Sequence, residues 1–181
     1  MTASDHIKRA DGWVIDTLFQ PVADRLPESI PALQLGMSCQ LGSLLFYGLS
    51  LLIPILVLGA TVGDVIDTIL VWLMGMAFFL GLQKSRHVVR ANALNPLRPL
   101  LMSMRVISII FLVYVAYRGM SVAAPYWLPA QLTTLSQLLF VVGLYFVACQ
   151  PRPPRPRVSM RQGNVIEGLW PTGKIRSSQG L

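Results

Sequence analysis

Charged residues are scarce in this chain. Asp, Glu, Lys and Arg together make up 13% of its 181 residues, against about 25% in an average soluble protein. Apolar residues make up 54%, and the mean hydropathy is +0.58. So few charges cannot cover the surface of a soluble globule, and the composition therefore predicts an all-α integral membrane protein.

Cysteine and histidine are also rare. The two cysteines, Cys39 and Cys149, form no CxxC motif and have no metal-ligand spacing, so we expect two unpaired thiols rather than a disulfide. His6 and His87 both lie outside the apolar runs, which excludes an intramembrane histidine pair for haem or chlorophyll. Carboxylates do not cluster either, and we predict no metal and no cofactor.

Motifs of the common enzyme classes are absent. The chain has no GxSxG, P-loop, HExxH or Rossmann glycine pattern, and we predict that it is not an enzyme. The first 20 residues contain three aspartates and no continuous apolar core, so they do not read as a secretory signal. We expect the first membrane helix to direct insertion.

Four apolar blocks dominate what is present, at residues 41–60, 65–82, 100–117 and 132–149, and the first helix is expected to begin several residues before its block. Their unbroken length predicts membrane-spanning helices, because barrel strands would alternate over about 10 residues. Only TVGD separates the first two blocks, which predicts a tight antiparallel hairpin, and the last two form a second hairpin. Pro125 and Pro129 are predicted to interrupt helix between these last two blocks, and Pro54 to kink the first.

The region before the first block has apolar residues at helical spacing, namely Ile7, Ala10, Val14, Leu18, Val22 and Leu26. This pattern predicts an amphipathic helix that starts near Ser4, bends or stops at Pro21, and either lies along the membrane surface or docks on a protein partner. We divide the chain into an amphipathic segment (1–34), a transmembrane domain (35–149) and a basic, proline-rich cytoplasmic tail (150–181).

Basic residues are distributed unevenly between the loops. Loop 83–100 carries Lys84, Arg86, Arg90 and Arg98, the tail carries Arg152, Arg155, Arg157, Arg161, Lys174 and Arg176, and the other two loops offer only Arg118. Because basic flanks stay in the cytoplasm, this asymmetry predicts a multi-pass protein of the inner membrane with both termini cytoplasmic. We therefore interpret the basic residues as setting the orientation of the chain in the membrane. Membrane lipids are expected partners, and nucleic acid binding is not expected.

The few charged residues near the helices are functional candidates. Asp64, Asp67 and Arg118 lie at the same predicted depth and could pair across helices as an interfacial salt link. Arg105 lies about a turn inside the third helix, where it could snorkel to the headgroups or bind a lipid phosphate or a partner carboxylate.

Small residues at a spacing of four predict close helix contacts, either within one monomer or with other membrane subunits or a second copy. The pairs are Ser38 with Gly42 and Ala77 with Gly81, and further notches occur at Gly36, Gly48, Ser50, Gly75 and Gly143.

Taken together, these features predict a noncatalytic structural subunit of a larger multiprotein membrane assembly, of which a secretion or conjugation apparatus is an example. The alternative is an oligomeric membrane pore, a holin or a small transporter, whose polar lining would come from Ser43, Tyr47 and Ser50 with Thr133, Ser136 and Gln137. A third hypothesis is an enzyme that acts on lipid and uses Asp67 and Arg105.

Overall fold

In the computed structural model of the chain, residues 3–27, 29–59, 61–89 and 94–151 are described, and they form helices and loops without a strand. Four helices are long and apolar enough to cross a membrane, over Ala32–Val57, Val65–Val88, Met102–Gly119 and Ala124–Ala148. The prediction of an all-helical protein with four candidate spans is confirmed. The tail beyond residue 151, on which the basic-tail prediction falls, lies outside the described residues, as does Arg90.

The N-terminal segment forms α1 (Ala3–Val14), a π-helical turn (Ile15–Phe19) and α2 (Gln20–Arg25). The helix continues past Pro21 to Arg25, instead of stopping at the proline. Because Pro21 has no N–H to donate, the i→i−4 ladder cannot continue regularly through it, and the preceding turn is wider than an α-helical turn.

The first candidate span is α3 (Ala32–Leu58), which begins well before residue 41. Its early polar side chains bond to helix backbone: Ser38 Oγ donates to the Gln34 carbonyl at 3.0 Å, and Gln40 Nε2 donates to the Phe140 carbonyl at 2.8 Å. The helix ends at Gly59, whose φ of 73° requires glycine-like freedom.

Helix α4 (Val62–Ser85) follows and ends in a 3₁₀ turn, Arg86–Val88. The short α5 (Leu97–Leu100) precedes α6 (Met102–Gly119). A second 3₁₀ turn, Ala124–Tyr126, leads into α7 (Trp127–Ala148), which starts earlier than the predicted residue 132. Pro129 does not interrupt α7, since it lies in the first helical turn, where its missing N–H has no intrahelical acceptor to lose.

The largest helix interface joins α3 to α7, the first and fourth candidate spans, which are far apart in sequence. Helix α7 also packs on α6, and α4 packs on α3. At the closest approach of α3 and α7, a Cβ added at Gly36 would lie 2.8 Å from the Gly143 carbonyl oxygen. Two glycines therefore set this interhelical distance, because any larger side chain would push the helices apart.

We name the two ends of the bundle after residues of α6. The Arg105 end contains the first turn of α6 and the last turn of α7, and Leu82 of α4 packs there against Leu97, Leu144 and Val147. The opposite end, where α6 finishes, is the Arg118 end.

Candidate functional site

A buried ion pair lies at the Arg105 end. Arg105 has no exposed surface, and its Nε donates to Asp11 Oδ1 at 2.9 Å while Nη2 donates to Asp11 Oδ2. Nη2 also donates to the Arg98 carbonyl at 2.8 Å. Arg105 thus binds a carboxylate of the N-terminal helix α1, and a fully buried guanidinium does not snorkel to headgroups.

Tyr145 of α7 completes this polar cluster. Its hydroxyl donates to Asp11 Oδ1 at 3.2 Å, and the Arg105 Cζ lies 5.6 Å from the centre of its ring. Phe19 stacks on the same ring with centroids 4.7 Å apart. Charge, hydrogen bond and aromatic stacking therefore join α1, the π-helical turn, α6 and α7 at one place.

Two weaker contacts also hold the N-terminal segment. Arg98 Nη2 donates to Asp16 Oδ2 at 2.8 Å, but the two side chains are 34% and 59% exposed, so water screens this pair. The Gln20 side chain both donates to and accepts from the backbone of Gln150, at 3.3 and 2.9 Å. Together with the buried Arg105–Asp11 pair, these contacts fix the segment to the Arg105 end.

Asn95 is a buried connector beside this cluster. Its Nδ2 donates to the carbonyls of Val147 and Cys149 at 2.7 and 2.9 Å, and its Oδ1 accepts from the Leu97 N–H at 3.0 Å. It satisfies carbonyls that the last turn of α7 leaves without helical partners, and at the same time it caps α5. Loop 83–100 therefore has a structural anchor in addition to its basic residues.

At the Arg118 end, Asp67 and Arg118 do not form the predicted interhelical salt link. Arg118 Nη1 donates to Tyr114 Oη at 3.2 Å, one turn away on the same helix. Asp67 is exposed on α4, and no ion pair joins it to Arg118 within the part of the chain that the structure describes. The side chain of Asp64 lies outside that part.

Three of the six residues considered for a pore lining bond across helix interfaces, whereas Ser50 and Thr133 donate to carbonyls of their own helices. Ser43 and Ser136 are buried with their hydroxyl oxygens 3.2 Å apart, and Ser136 Oγ donates to the Ser43 carbonyl at 2.8 Å. Gln137 Nε2 donates to the Ser108 carbonyl at 3.3 Å. These groups bond to each other and to backbone across α3, α6 and α7, and they help to hold these helices together.

The predicted small-residue pairs are mostly exposed. Ser38, Ala77 and Gly81 lie on the surface, and a Cβ at Gly81 would meet no atom within 4 Å. Gly42 is half-buried, and a Cβ there would come within 3.5 Å of Leu139. The intramolecular close contacts instead use further notches that the sequence offered, Gly36 and Gly143 on α3 and α7 and Gly48 and Gly75 between α3 and α4.

An apolar groove of about 460 Å³ lies between α3 and α4, lined by residues including Leu44, Leu49, Leu52, Ile69 and Trp72. The Trp72 indole N–H donates to the Leu44 carbonyl at 3.1 Å, so the only polar atom of that ring is already bonded. A groove with this lining suits hydrocarbon, and the residues that line it include one hydroxyl, that of Thr68, and no carboxylate, imidazole, amine or thiol.

Cys149 lies at the end of α7, outside the candidate span. It is 3% exposed, and burial raises the pKa of its thiol to about 12, with nearby Asp24 acting in the same direction. Such a thiol is protonated at neutral pH and is a poor nucleophile. Among the residues described, no three His, Cys, Asp or Glu side chains come together to hold a metal.

The sequence pattern does not single out Asp11, Tyr145, Asn95 or Gln40. A signal for Asp11 exists, since it lies four residues from both Ile7 and Ile15 and is therefore an acid on the apolar side of an amphipathic helix. For Asn95 and Gln40 no comparable signal exists, because each bonds a backbone carbonyl that only the tertiary fold brings near.

Comparison of the chain with protein family models, with curated proteins and with solved structures finds no match.

Proposed function

We propose that this protein is a noncatalytic structural subunit of a larger multiprotein membrane assembly, of the kind found in secretion or conjugation machines. The observation that carries the proposal is how little of α4 is buried. This helix is apolar enough to span the membrane, yet only 6% of its span is buried by the described residues of its own chain. Helices α3 and α7, in contrast, bury their contact faces on each other.

The chemistry of the polar groups supports a structural role. Arg105 is bonded to Asp11, Ser43 to Ser136, and Asn95 to the end of α7. These hydrogen bonds join separate elements of the chain, as expected of a structural role. A lipid-directed reaction at Arg105 would further require that buried side chain to reach a headgroup.

The proposal includes a topology. Two antiparallel hairpins, α3 with α4 and α6 with α7, span the inner membrane, and the Arg105 end with both termini faces the cytoplasm. The N-terminal segment lies along that membrane surface, held through Asp11. Its exposed apolar side chains, among them Ile7, Trp13 and Leu18, suit the boundary between headgroups and hydrocarbon.

The test is a pulldown of the full chain from native membranes in mild detergent, followed by mass spectrometry. The proposal predicts stable copurification of other membrane proteins and no conductance in liposomes containing the purified chain. A lone homo-oligomer, together with a conductance lost on replacing Ser50 or Gln137 with Leu, would contradict it and establish a pore. Lipid turnover that falls in Asp67→Asn or Arg105→Gln would contradict it in favour of an enzyme.

A further inference from the structure

The four candidate spans pack mainly in one row, in the order α4, α3, α7, α6. Helix α3 contacts α4 and α7, and α7 in turn contacts α6. Among the spans described, the main contact of α4 is with α3 and that of α6 is with α7. Helices α4 and α6 therefore lie at the two edges of the row, and we call them the edge helices.

Each edge helix has an exposed face on the side away from its neighbour. Helix α4 turns Trp72 and Gly75 toward α3, and helix α6 turns Ser108 and Gly119 toward α7. The exposed faces consist of Asp67, Leu70, Met74 and Ala77 on α4 and of Ile107, Ile110, Tyr114 and Arg118 on α6. Members of each face are three or four residues apart, as in helices that pack along their length.

Opposite charges lie on these two faces at the same end of the bundle. Asp67 lies near the start of α4, whose later residue Leu82 packs at the Arg105 end, and Arg118 lies in the last turn of α6. Asp67 and Arg118 are thus both at the Arg118 end. Both are exposed, and neither forms an ion pair within the part of the chain described. Because identical chains insert in one orientation, Asp67 of one copy comes level with Arg118 of the next.

Charge determines which edges of two copies fit together. A two-fold axis that pairs α4 with α4 places Asp67 beside Asp67, and one that pairs α6 with α6 places Arg118 beside Arg118. Like charges disfavour both arrangements. Pairing α4 of one copy with α6 of the next brings the aspartate beside the arginine, which favours association. This contact leaves a free edge helix on each outer copy, so further copies can add to it.

We infer that copies of this chain associate edge to edge in the membrane, with the exposed face of α4 on one copy packed against the exposed face of α6 on the next and Asp67 paired with Arg118. The contact builds a homo-oligomer of more than two copies, which is a ring where the rotation between neighbours closes. The inference deepens the proposed function and rests on it in one respect, namely that other subunits join this oligomer.

The experiment joins the two faces by a disulfide in the full chain. Met74 and Ile110 lie near the middle of their helices and are 76% and 66% exposed, so both are replaced with Cys and native membranes are oxidised with copper phenanthroline. We expect a ladder of dimer, trimer and larger products of this chain. Met74→Cys or Ile110→Cys alone should give no ladder, and the unaltered chain, which has only Cys39 and Cys149, is the blank.

A charge exchange separates recognition from misfolding. Asp67→Arg and Arg118→Asp should each lower the yield of trimer and larger products by about tenfold or more, because each brings like charges together at the contact. The two substitutions combined in one chain should restore the yield, and Asp67→Glu should retain it.

Four results would overturn the inference: no ladder, a disulfide product with a different protein, a dimer from either chain with a single added Cys, or a ladder that is insensitive to Asp67→Arg. A combined charge exchange that fails to restore a lost ladder would also overturn it. If no ladder forms while other membrane proteins copurify with the chain, the subunit role stands and the edge pairing is wrong. If the ladder forms, also in liposomes of the purified chain, and no other protein copurifies, the edge pairing stands and the subunit role falls.

Discussion

Removing Asp11 should destabilise the protein more than any other single loss of a surface or interface charge. Asp11→Ala leaves the Arg105 guanidinium without its carboxylate, in a place where the Arg105 side chain is 0% and the Asp11 side chain 5% exposed. Breaking a buried pair by removing one partner costs about 3–5 kcal/mol, because an uncompensated charge stays behind. The free energy of unfolding should fall by that amount.

The same geometry predicts how the loss is recovered. Arg105 Nη1 has no hydrogen-bond partner within the described chain, so the pair does not repay the full cost of its burial. The double variant Asp11→Leu/Arg105→Met removes both charges, and its free energy of unfolding should lie within about 1.5 kcal/mol of the unaltered protein. The matched control is Asp16→Ala, which breaks the exposed pair with Arg98 and should cost less than about 1 kcal/mol.

The assay is reversible unfolding in mixed micelles, followed by circular dichroism as the fraction of denaturing detergent increases. The unaltered protein, Asp11→Leu, Arg105→Met and the double variant form a thermodynamic cycle, and Asp11→Ala and Asp16→Ala are measured beside it. A cost below about 1 kcal/mol for Asp11→Ala, or a double variant that is less stable than both single variants, would refute the assignment of a buried ion pair between α1 and α6.

Three further outcomes are expected. Gly143→Ala should lower the melting temperature, because its Cβ would lie 2.7 Å from Gln40 Nε2 and 2.9 Å from the Gly36 carbonyl oxygen. Such a clash costs about 1–3 kcal/mol. The control Gly81→Ala should leave the melting temperature unchanged. Asn95→Ala removes three buried hydrogen bonds and should cost about 2 kcal/mol or more in the same unfolding assay; a change under about 0.5 kcal/mol would contradict its role as connector. Cys149 should resist iodoacetamide at pH 8 in the folded protein, because its raised pKa of about 12 keeps the thiolate scarce until the pH approaches that value. It should react promptly once the protein is denatured. Alkylation at equal rates in both states would disprove this.

The helical architecture could be predicted from composition and apolar run length, because a span of about 20 apolar residues has few alternatives in lipid. Helix boundaries were harder to predict where polar residues meet a span. The start of α3 was expected only as several residues before the apolar block at 41, and the structure places it at Ala32, in a stretch where Gln40 bonds a carbonyl on α7. Pro129 resembles a helix breaker but is tolerated in the first turn of α7.

The polar cluster was less predictable, for a different reason. Arg105 is recognisable as an unusual charge in an apolar block, but its partner lies in a segment far away in sequence. Spacing along one chain cannot reveal that Asp11 and Tyr145 converge on it, because their meeting depends on how the N-terminal segment folds back. Likewise, whether a residue of α4 is exposed depends on how the helices pack. The sequence alone therefore cannot distinguish small residues that form contacts within the chain from small residues that stay exposed.

The pairing of α3 with α7 also constrains biosynthesis. The ribosome delivers α3 to the insertion machinery first and α7 last of the four, so the surface around Gly36 and Gln40 must wait in lipid, uncovered, while three more helices are made. A chain truncated after α6 would insert three hydrophobic segments but leave Gln40 without its acceptor on α7. We expect such a fragment to be degraded faster than the full chain, because an amide that has no partner is left facing lipid.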